Sequence, residues 1–300
     1  MKELINTYLE EMLETKSEST VKGHRSTLNR FARFVDVDEP VEIITKDVVR
    51  FRNEMYEEKK TGTVNTMLKR IKLFLSWCVD QGILEDSPAQ EVKLLTASEE
   101  VPKWLTEQQE DLLIKKVRKK YQGSEAKKIS YREEAIIRLM LQAGLRVQEV
   151  VNIKLDDIDA FGEKAKLLVR GKNNQQRIVP LIKEVYQIIQ KYLKHHGTKG
   201  EYLFYSQKSD RITVKRIQDI VKEFQGVSRG NIVINELHPH MLRHTFAHNL
   251  ANRGMALESI ARVLGHTKKD GTPNIQQTIR YTKASDDELA SNMEDILATK

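Results

Sequence analysis

The sequence predicts a mainly α-helical chain with one small β-sheet, made of an N-terminal four-helix domain and a larger α+β domain. Three observations carry that prediction. Apolar residues recur at helical spacing through the first 85 residues and again from His238 onward. One pair of alternating segments, around residues 164–181, reads as a β-hairpin. The charge also changes sign near residue 100. The first hundred residues carry 15 Lys/Arg against 19 Asp/Glu, and the remaining two hundred carry 35 against 24. Halves this different, in a chain of 300 residues, point to two domains with different tasks.

The first domain is assigned to residues 1–85. Leu4, Tyr8, Leu9, Met12 and Leu13 share one helical face. Ser19 or Thr20 caps a second helix bearing Val21, Leu28, Phe31 and Phe34, and Thr45 caps a third with Val48, Phe51 and Met55. A fourth runs from about Thr63 to Cys78, with Gly82 as its stop and Cys78 as packing. The polar faces of the second and fourth helices are basic, with Lys22 and Arg25 on one and Lys69 and Arg70 on the other. Two such faces in one bundle suit a phosphate backbone; an ordinary solvated face is the plain alternative. Residues 86–103 are polar, hold Pro88 and Pro102, lack an apolar period and read as a linker.

The second domain is assigned to residues 104–300. Thr106 caps a helix, and RKKYQGSEAKKIS reads as an exposed loop or a frayed helix end. YREEAIIRLMLQAG is an apolar helix stopped at Gly144, and LRVQEVVNI a short one. The hairpin follows, then the helix EVYQIIQKYLKHH, a short strand EYLFYS and the helix TVKRIQDIVKEFQ. HPHMLRHTFAHNLANRG, ALESIARVLGH, NIQQTIRYTK and DDELASNMEDIL complete a helical C-terminal region.

Several classes are excluded early. A single cysteine cannot form an internal disulfide, which favours a reducing, cytoplasmic location. The charged N-terminus is not a secretory signal, and no apolar run approaches about 18 residues, so no membrane partner is expected. With 39% hydrophobic and 31% charged residues the chain is not globally disordered. The net charge of +7 admits nucleic acid as a partner without demanding it.

Five motifs in order go further. AGLRVQEV, with Arg146 and Glu149, resembles the first signature of the tyrosine recombinase, or phage integrase, family. GKNNQQRIVPL resembles that family's hairpin with a catalytic lysine, here Lys172. HPHMLRHTFA resembles its H-x-L-R-H box, with His240, Arg243 and His244. VLGH supplies His266, and IRYTK supplies the nucleophile position, Tyr281. The resemblance covers about Trp104 to Lys283. The N-terminal bundle resembles the family's core-binding domain in helix pattern and placement.

The chemistry of these residues agrees with what the resemblance implies. A phosphodiester under in-line attack gathers charge on its non-bridging oxygens. Arg146 and Arg243 offer permanently charged forks to those oxygens and replace a metal by preorganised electrostatics. Glu149 orients Arg146 or His240. His240 accepts the tyrosine proton, Lys172 protonates the departing 5′ oxygen, and His266 hydrogen-bonds a phosphate oxygen. Tyr281 forms a 3′-phosphotyrosine that keeps the bond energy, so rejoining needs no ATP. The polar insert TKKDGTPNIQQ lengthens the loop before Tyr281 rather than moving the nucleophile.

A metal site is the rival use of His240, His244 and His248, which share a helix face near His238. Met241 occupies the position where a zincin pattern needs Glu, so no metal and no cofactor are expected. The resemblance implies a site-specific recombinase acting on double-stranded DNA with a specific site. It implies a homotetramer on paired sites, a Holliday-junction intermediate and room for accessory DNA-binding proteins. Lys215 and Arg216 open a candidate major-groove helix. The amphipathic C-terminal segment, with Leu289, Met293 and Ile296, is a candidate docking element for a neighbouring protomer. A type IB topoisomerase-like strand-relaxing enzyme and a DNA-binding protein without recombination activity are the alternatives.

Overall fold

The computed structural model describes residues 1–96, 103–120, 124–171, 176–206, 208–268 and 270–282. The chain divides into two compact units, Met1–Glu99 and Glu100–Lys300.

In the first unit α1 (Lys2–Thr15), α2 (Glu18–Val35), α3 (Thr45–Glu58) and α4 (Thr61–Asp80) surround one apolar core. Leu9, Leu28, Phe31, Val48, Phe51, Ile71, Phe74, Leu75 and Cys78 are sealed from water there. The caps differ by small steps from the sequence reading. Ser17, not Ser19 or Thr20, accepts the Thr20 amide at the start of α2, and α3 begins on Thr45 itself behind Ile44. Gly82 takes a left-handed φ of 70°, as a helix stop requires.

The segment read as a linker does not leave the bundle at residue 85. Ala89 and Val92 are buried in the bundle core. Asn65 clamps Leu95 from both sides, donating to its carbonyl at 2.8 Å and accepting from its amide at 2.9 Å. Lys72 donates to the Gln90 carbonyl and Arg52 to that of Lys93. Two apolar anchors and side chains that take up the main-chain polar groups hold a strap whose sequence has no helical or strand period.

The second unit builds its core from α5 (Glu107–Lys119), α6 (Ser124–Leu141), α7 (Val147–Val151), α8 (Lys183–His196) and α9 (Val214–Lys222) around a sheet. Thr106 caps α5 as the sequence predicts, in a reciprocal box with Gln109. The stretch read as a loop or frayed end is helical from Ser124 onward. The sheet has the order β1 (Ile158–Phe161), β2 (Lys164–Arg170), β3 (Gln176–Leu181), all antiparallel, with Val169 opposite Arg177. β1 is an addition to the predicted hairpin. EYLFYS is not a strand; Leu203 and Phe204 are buried and only Tyr202 forms an isolated bridge, to Lys154. A two-residue ladder joins β4 (Ser228–Arg229) to β5 (Ile232–Val233).

A second cluster of the same unit carries the chemistry-bearing segments. It contains α10 (Pro239–Asn252), α11 (Leu257–Leu264) and α12 (Ile275–Thr278), followed by a 3₁₀ turn, Ile279–Thr282. No described helix is long and apolar enough to cross a membrane.

Candidate active site

The site is made by helix ends. α6 stops at Leu141, and the chain turns through Gly144 at φ 66°. A side chain at Gly144 would start 2.3 Å from the Phe246 ring, so the A-G-L-R motif needs glycine both for its turn and for its contact with α10. Arg146 then caps α7, and Glu149 reaches back three residues to accept the Arg146 amide at 2.8 Å. The R-x-x-E spacing is thus a helix start that also aims a carboxylate.

α11 stops in the same manner. Gly265 is left-handed at φ 67°, which leaves the last carbonyls of α11 open. Arginines fill them. The Leu264 carbonyl accepts from Arg243 Nη2 at 2.6 Å and from Arg146 Nη1 at 3.3 Å, and the Val263 carbonyl accepts from Arg177 Nε at 2.7 Å. Arg243 also donates to the Gly144 carbonyl at 2.5 Å. Both glycine turns, 121 positions apart in the chain, are therefore tied to one buried guanidinium.

Glu149 neutralises part of this charge. It accepts from Arg146 at 2.9 Å and from both terminal nitrogens of Arg177 at 2.8 Å, with Arg243 3.7 Å away. Burial alone would raise its pKa. The Arg177 fork, the Arg146 amide and the Arg243 charge outweigh that and bring it to about 2. Burial and the nearby charge of Arg146 lower the pKa of Arg243, which stays charged at neutral pH. Among the described residues Arg146 Nη2 and Nε have no hydrogen-bond partner, and its side chain is 34% exposed, so it presents a fork outward.

His238 caps α10 through Nδ1, and Pro239 opens it, so His240 and Arg243 lie one turn apart near its start. His240 opens to solvent on one side. Desolvation of its inner side, then the charges of Arg243, His238 and Arg146, hold it below the ordinary 6.5, so it is neutral at pH 7. A neutral imidazole is able to take a proton.

His266 lies in contact with Arg243. Guanidinium can only donate, so the 3.2 Å contact from Arg243 Nη2 makes His266 Nε2 the acceptor. Its Nδ1 then donates to Thr278 Oγ1 at 3.0 Å, and Thr278 passes its own proton to the Asn274 carbonyl.

The polar insert before Tyr281 closes on itself. Thr267 bridges Pro273, the Lys268 amide donates to the Thr272 carbonyl, the Gly271 amide donates to the Lys268 carbonyl, and the Asn274 amide donates to the His266 carbonyl at 2.7 Å. The added residues therefore leave α12 starting beside His266. Tyr281 follows, 4% exposed, its ring parallel to that of His266 at 6.0 Å and edge-on to that of His244 at 5.2 Å. Arg146, Glu149, Arg243, His266 and Tyr281 thus converge, with His240 at the same end of α10. The rival metal face does not converge: both ring nitrogens of His248 are engaged, with the Tyr281 carbonyl and with Asn252. Lys172 and the segment DDELASNMEDIL lie outside the described residues.

Sequence reasoning missed Arg177 and Thr278. Arg177 follows the candidate lysine by five residues, and only the register of β3 turns it toward Glu149.

Among the candidate DNA-binding residues, Lys22, Arg25 and Lys69 are exposed, though Arg25 also donates to Asn6. Arg70 is different: it donates to the Gly23 carbonyl and to Thr27, stapling α4 to α2 with its guanidinium seated against Gly23. Lys215 pairs with Asp219, and Arg216 with Glu223 and Glu133. These last two cations are shared with carboxylates of their own unit.

Comparison with known proteins gives these features a context. Residues 103–288 match the Phage integrase family, and residues 4–85 match the phage integrase N-terminal SAM-like domain. Tyrosine recombinase XerC of Staphylococcus epidermidis is 30% identical over 285 residues, which are 91% of this chain and 89% of that protein. Tyrosine recombinase XerC of Oceanobacillus iheyensis is 28% identical over 95% of this chain and 92% of its own. Among solved structures, the Tn1549 transposon integrase in complex with transposon right end DNA shares the fold with a TM-score of 0.74, 20% identity and 98% coverage of both chains. The XerH recombinase in its post-cleavage complex with a palindromic difH substrate gives a TM-score of 0.74 at 19% identity over 92% of this chain and 79% of that one. Helix ends that gather arginines around a buried tyrosine, on a chain matched along most of its length, are those of a member of the phage integrase family.

Proposed function

We propose that the protein is a site-specific DNA recombinase of the tyrosine type. It cleaves and rejoins strands through a 3′-phosphotyrosine and a Holliday junction. One observation carries this reading: the buried ring of Tyr281 lies against His266 in the cluster where Arg146 and Arg243 share the Leu264 carbonyl. The DNA complexes of XerH and of the Tn1549 integrase, and the XerC relatives, support DNA as the substrate.

In this reading the free fork of Arg146 and the remaining N–H groups of Arg243 hold the scissile phosphate. Tyr281 Oη attacks phosphorus, and the bond to the 5′ oxygen breaks. The phenolic proton passes to neutral His240, and Lys172 supplies a proton to the departing 5′ oxygen. Glu149 and His266 orient the guanidiniums. Attack by a 5′ hydroxyl on the phosphotyrosine reverses the step and restores Tyr281, with no metal or other cofactor. Tyr281 belongs to the same chain as the arginines beside it, which favours delivery in cis. Lys22, Arg25 and Lys69 grip the duplex backbone, and Lys215 and Arg216 do so after exchanging their carboxylate partners for phosphate. Four protomers act on paired sites in the cytoplasm, joined through residues 285–300, with accessory DNA-binding proteins as further partners.

The test uses a duplex recovered from random genomic fragments by binding to the chain, then nicked so that cleavage is trapped. Wild type is expected to form a denaturation-stable protein–DNA adduct in EDTA, and Tyr281→Phe none. An adduct that survives Tyr281→Phe, or no adduct from wild type, overturns the reading.

A further inference from the structure

The steps above leave one buried histidine of α10 without a task. His248 is 3% exposed. Its Nδ1 lies 3.2 Å from the main-chain carbonyl of Tyr281, and its Nε2 lies 2.9 Å from the amide nitrogen of Asn252. A carbonyl can only accept, so Nδ1 carries the proton. The Asn252 amide nitrogen donates, so Nε2 is bare. The ring is thereby held in one orientation. Trp104 lies flat against it, with centroids 3.9 Å apart and planes 15° apart. The Leu105 amide donates to Thr245 Oγ1, one turn earlier on α10, at 3.0 Å. The Trp104–Leu105 segment thus clamps the imidazole in plane.

The partner of that imidazole gives it significance. Tyr281 sits in a single 3₁₀ turn, Ile279–Thr282. Its main-chain carbonyl takes a donor from another element. The donor here comes from the helix that also carries His240 and Arg243. The group that binds phosphate and the group that attacks it are thereby referenced to one rod.

We infer that His248 is a positioning residue for the nucleophilic step. Its Nδ1–H holds the Tyr281 backbone so that Oη meets a phosphate bound by Arg243. His248 touches neither DNA nor the reacting atoms. The inference rests on the reading of Tyr281 as nucleophile.

The test uses the full chain and the trapping duplex described above, with single-turnover rates of adduct formation and duplex affinity measured together. His248→Phe keeps a flat ring against Trp104 and removes the hydrogen bonds to Tyr281 and Asn252. His248→Asn places an amide N–H where Nδ1–H was. His248→Gln reaches the Nε2 position and serves Asn252 alone. Misplacement of a reacting group by about 1 Å costs roughly 100-fold, so the Phe and Gln variants are expected to form adduct about 10- to 100-fold more slowly. The Asn variant is expected to stay within about threefold of wild type, with duplex affinity unchanged in all three. A merely structural role would track thermal stability and would not separate Asn from Gln. If the Phe variant does not fold, the Asn and Gln pair decides. Equal rates for those two, or a Phe variant as fast as wild type, overturn the inference. Absence of adduct from wild type itself removes the Tyr281 reading and this inference with it.

Discussion

Glu149 takes hydrogen bonds from one main-chain amide and two guanidiniums while only 6% exposed. Its pKa of about 2 lies below its ordinary value of 4.5. In the folded protein the carboxylate therefore stays ionised down to about pH 2, whereas in the unfolded chain it takes up a proton near 4.5. Its stabilising contribution is full above pH 4.5 and is lost as the pH falls through 2. The difference of two to three pKa steps corresponds to roughly 3 kcal/mol. Glu149→Gln is expected to destabilise the protein most at pH 6, with the gap to wild type closing by up to about 3 kcal/mol at pH 2. Urea unfolding at both pH values measures this, and a gap independent of pH would contradict the assignment. Lys in place of Arg177 cannot reproduce the bidentate fork on Glu149.

At the scale of elements, four helix ends build the site, so glycines matter as much as charged groups. Gly144→Ala places a methyl 2.3 Å from the Phe246 ring at a φ of 66°. Strain and overpacking together cost about 2–4 kcal/mol. The shift also moves the Gly144 carbonyl that Arg243 uses. Denaturant titration should show the loss of stability, and adduct formation should fall further than stability alone dictates. The first of these ends was legible in the sequence, because A-G-L-R-x-x-E spells out a left-handed stop followed by a charged group, and L-G-H marked His266 without marking Gly265 as a stop. Helix periodicity likewise located α1 to α4, α8 and α10. Other features were not legible. Arg177 depends on strand register, and His248 on a partner 33 residues away. EYLFYS has strand composition, yet its apolar residues are drawn into the core without a neighbouring strand. The strap at 85–96 follows no period because its bonds come from side chains of other elements.

At the scale of the molecule, the acidic total of the first unit conceals a local basic surface. Lys22 and Lys69 extend from two helices whose backbones Arg70 staples together. If both meet phosphate, Lys22→Ala with Lys69→Ala should weaken duplex binding alike across sequences and reduce the salt slope by about 2. Deletion of residues 285–300 should spare that binding and weaken synapsis. Binding isotherms across salt, and sedimentation of paired-site complexes, read the two effects separately. Unchanged tetramer formation by the truncated chain would argue against a docking role for the segment.

The guanidinium cluster has a consequence for where catalysis gains its energy. Arg146, Arg177 and Arg243 with Glu149 sum to two positive charges. A bound phosphodiester brings one negative charge, and the attacking phenolate brings a second as the new bond forms. These four groups taken alone therefore exceed the bound phosphodiester by one positive charge, and that excess is met as the second negative charge develops. That mismatch is differential binding, expressed as a count of charges.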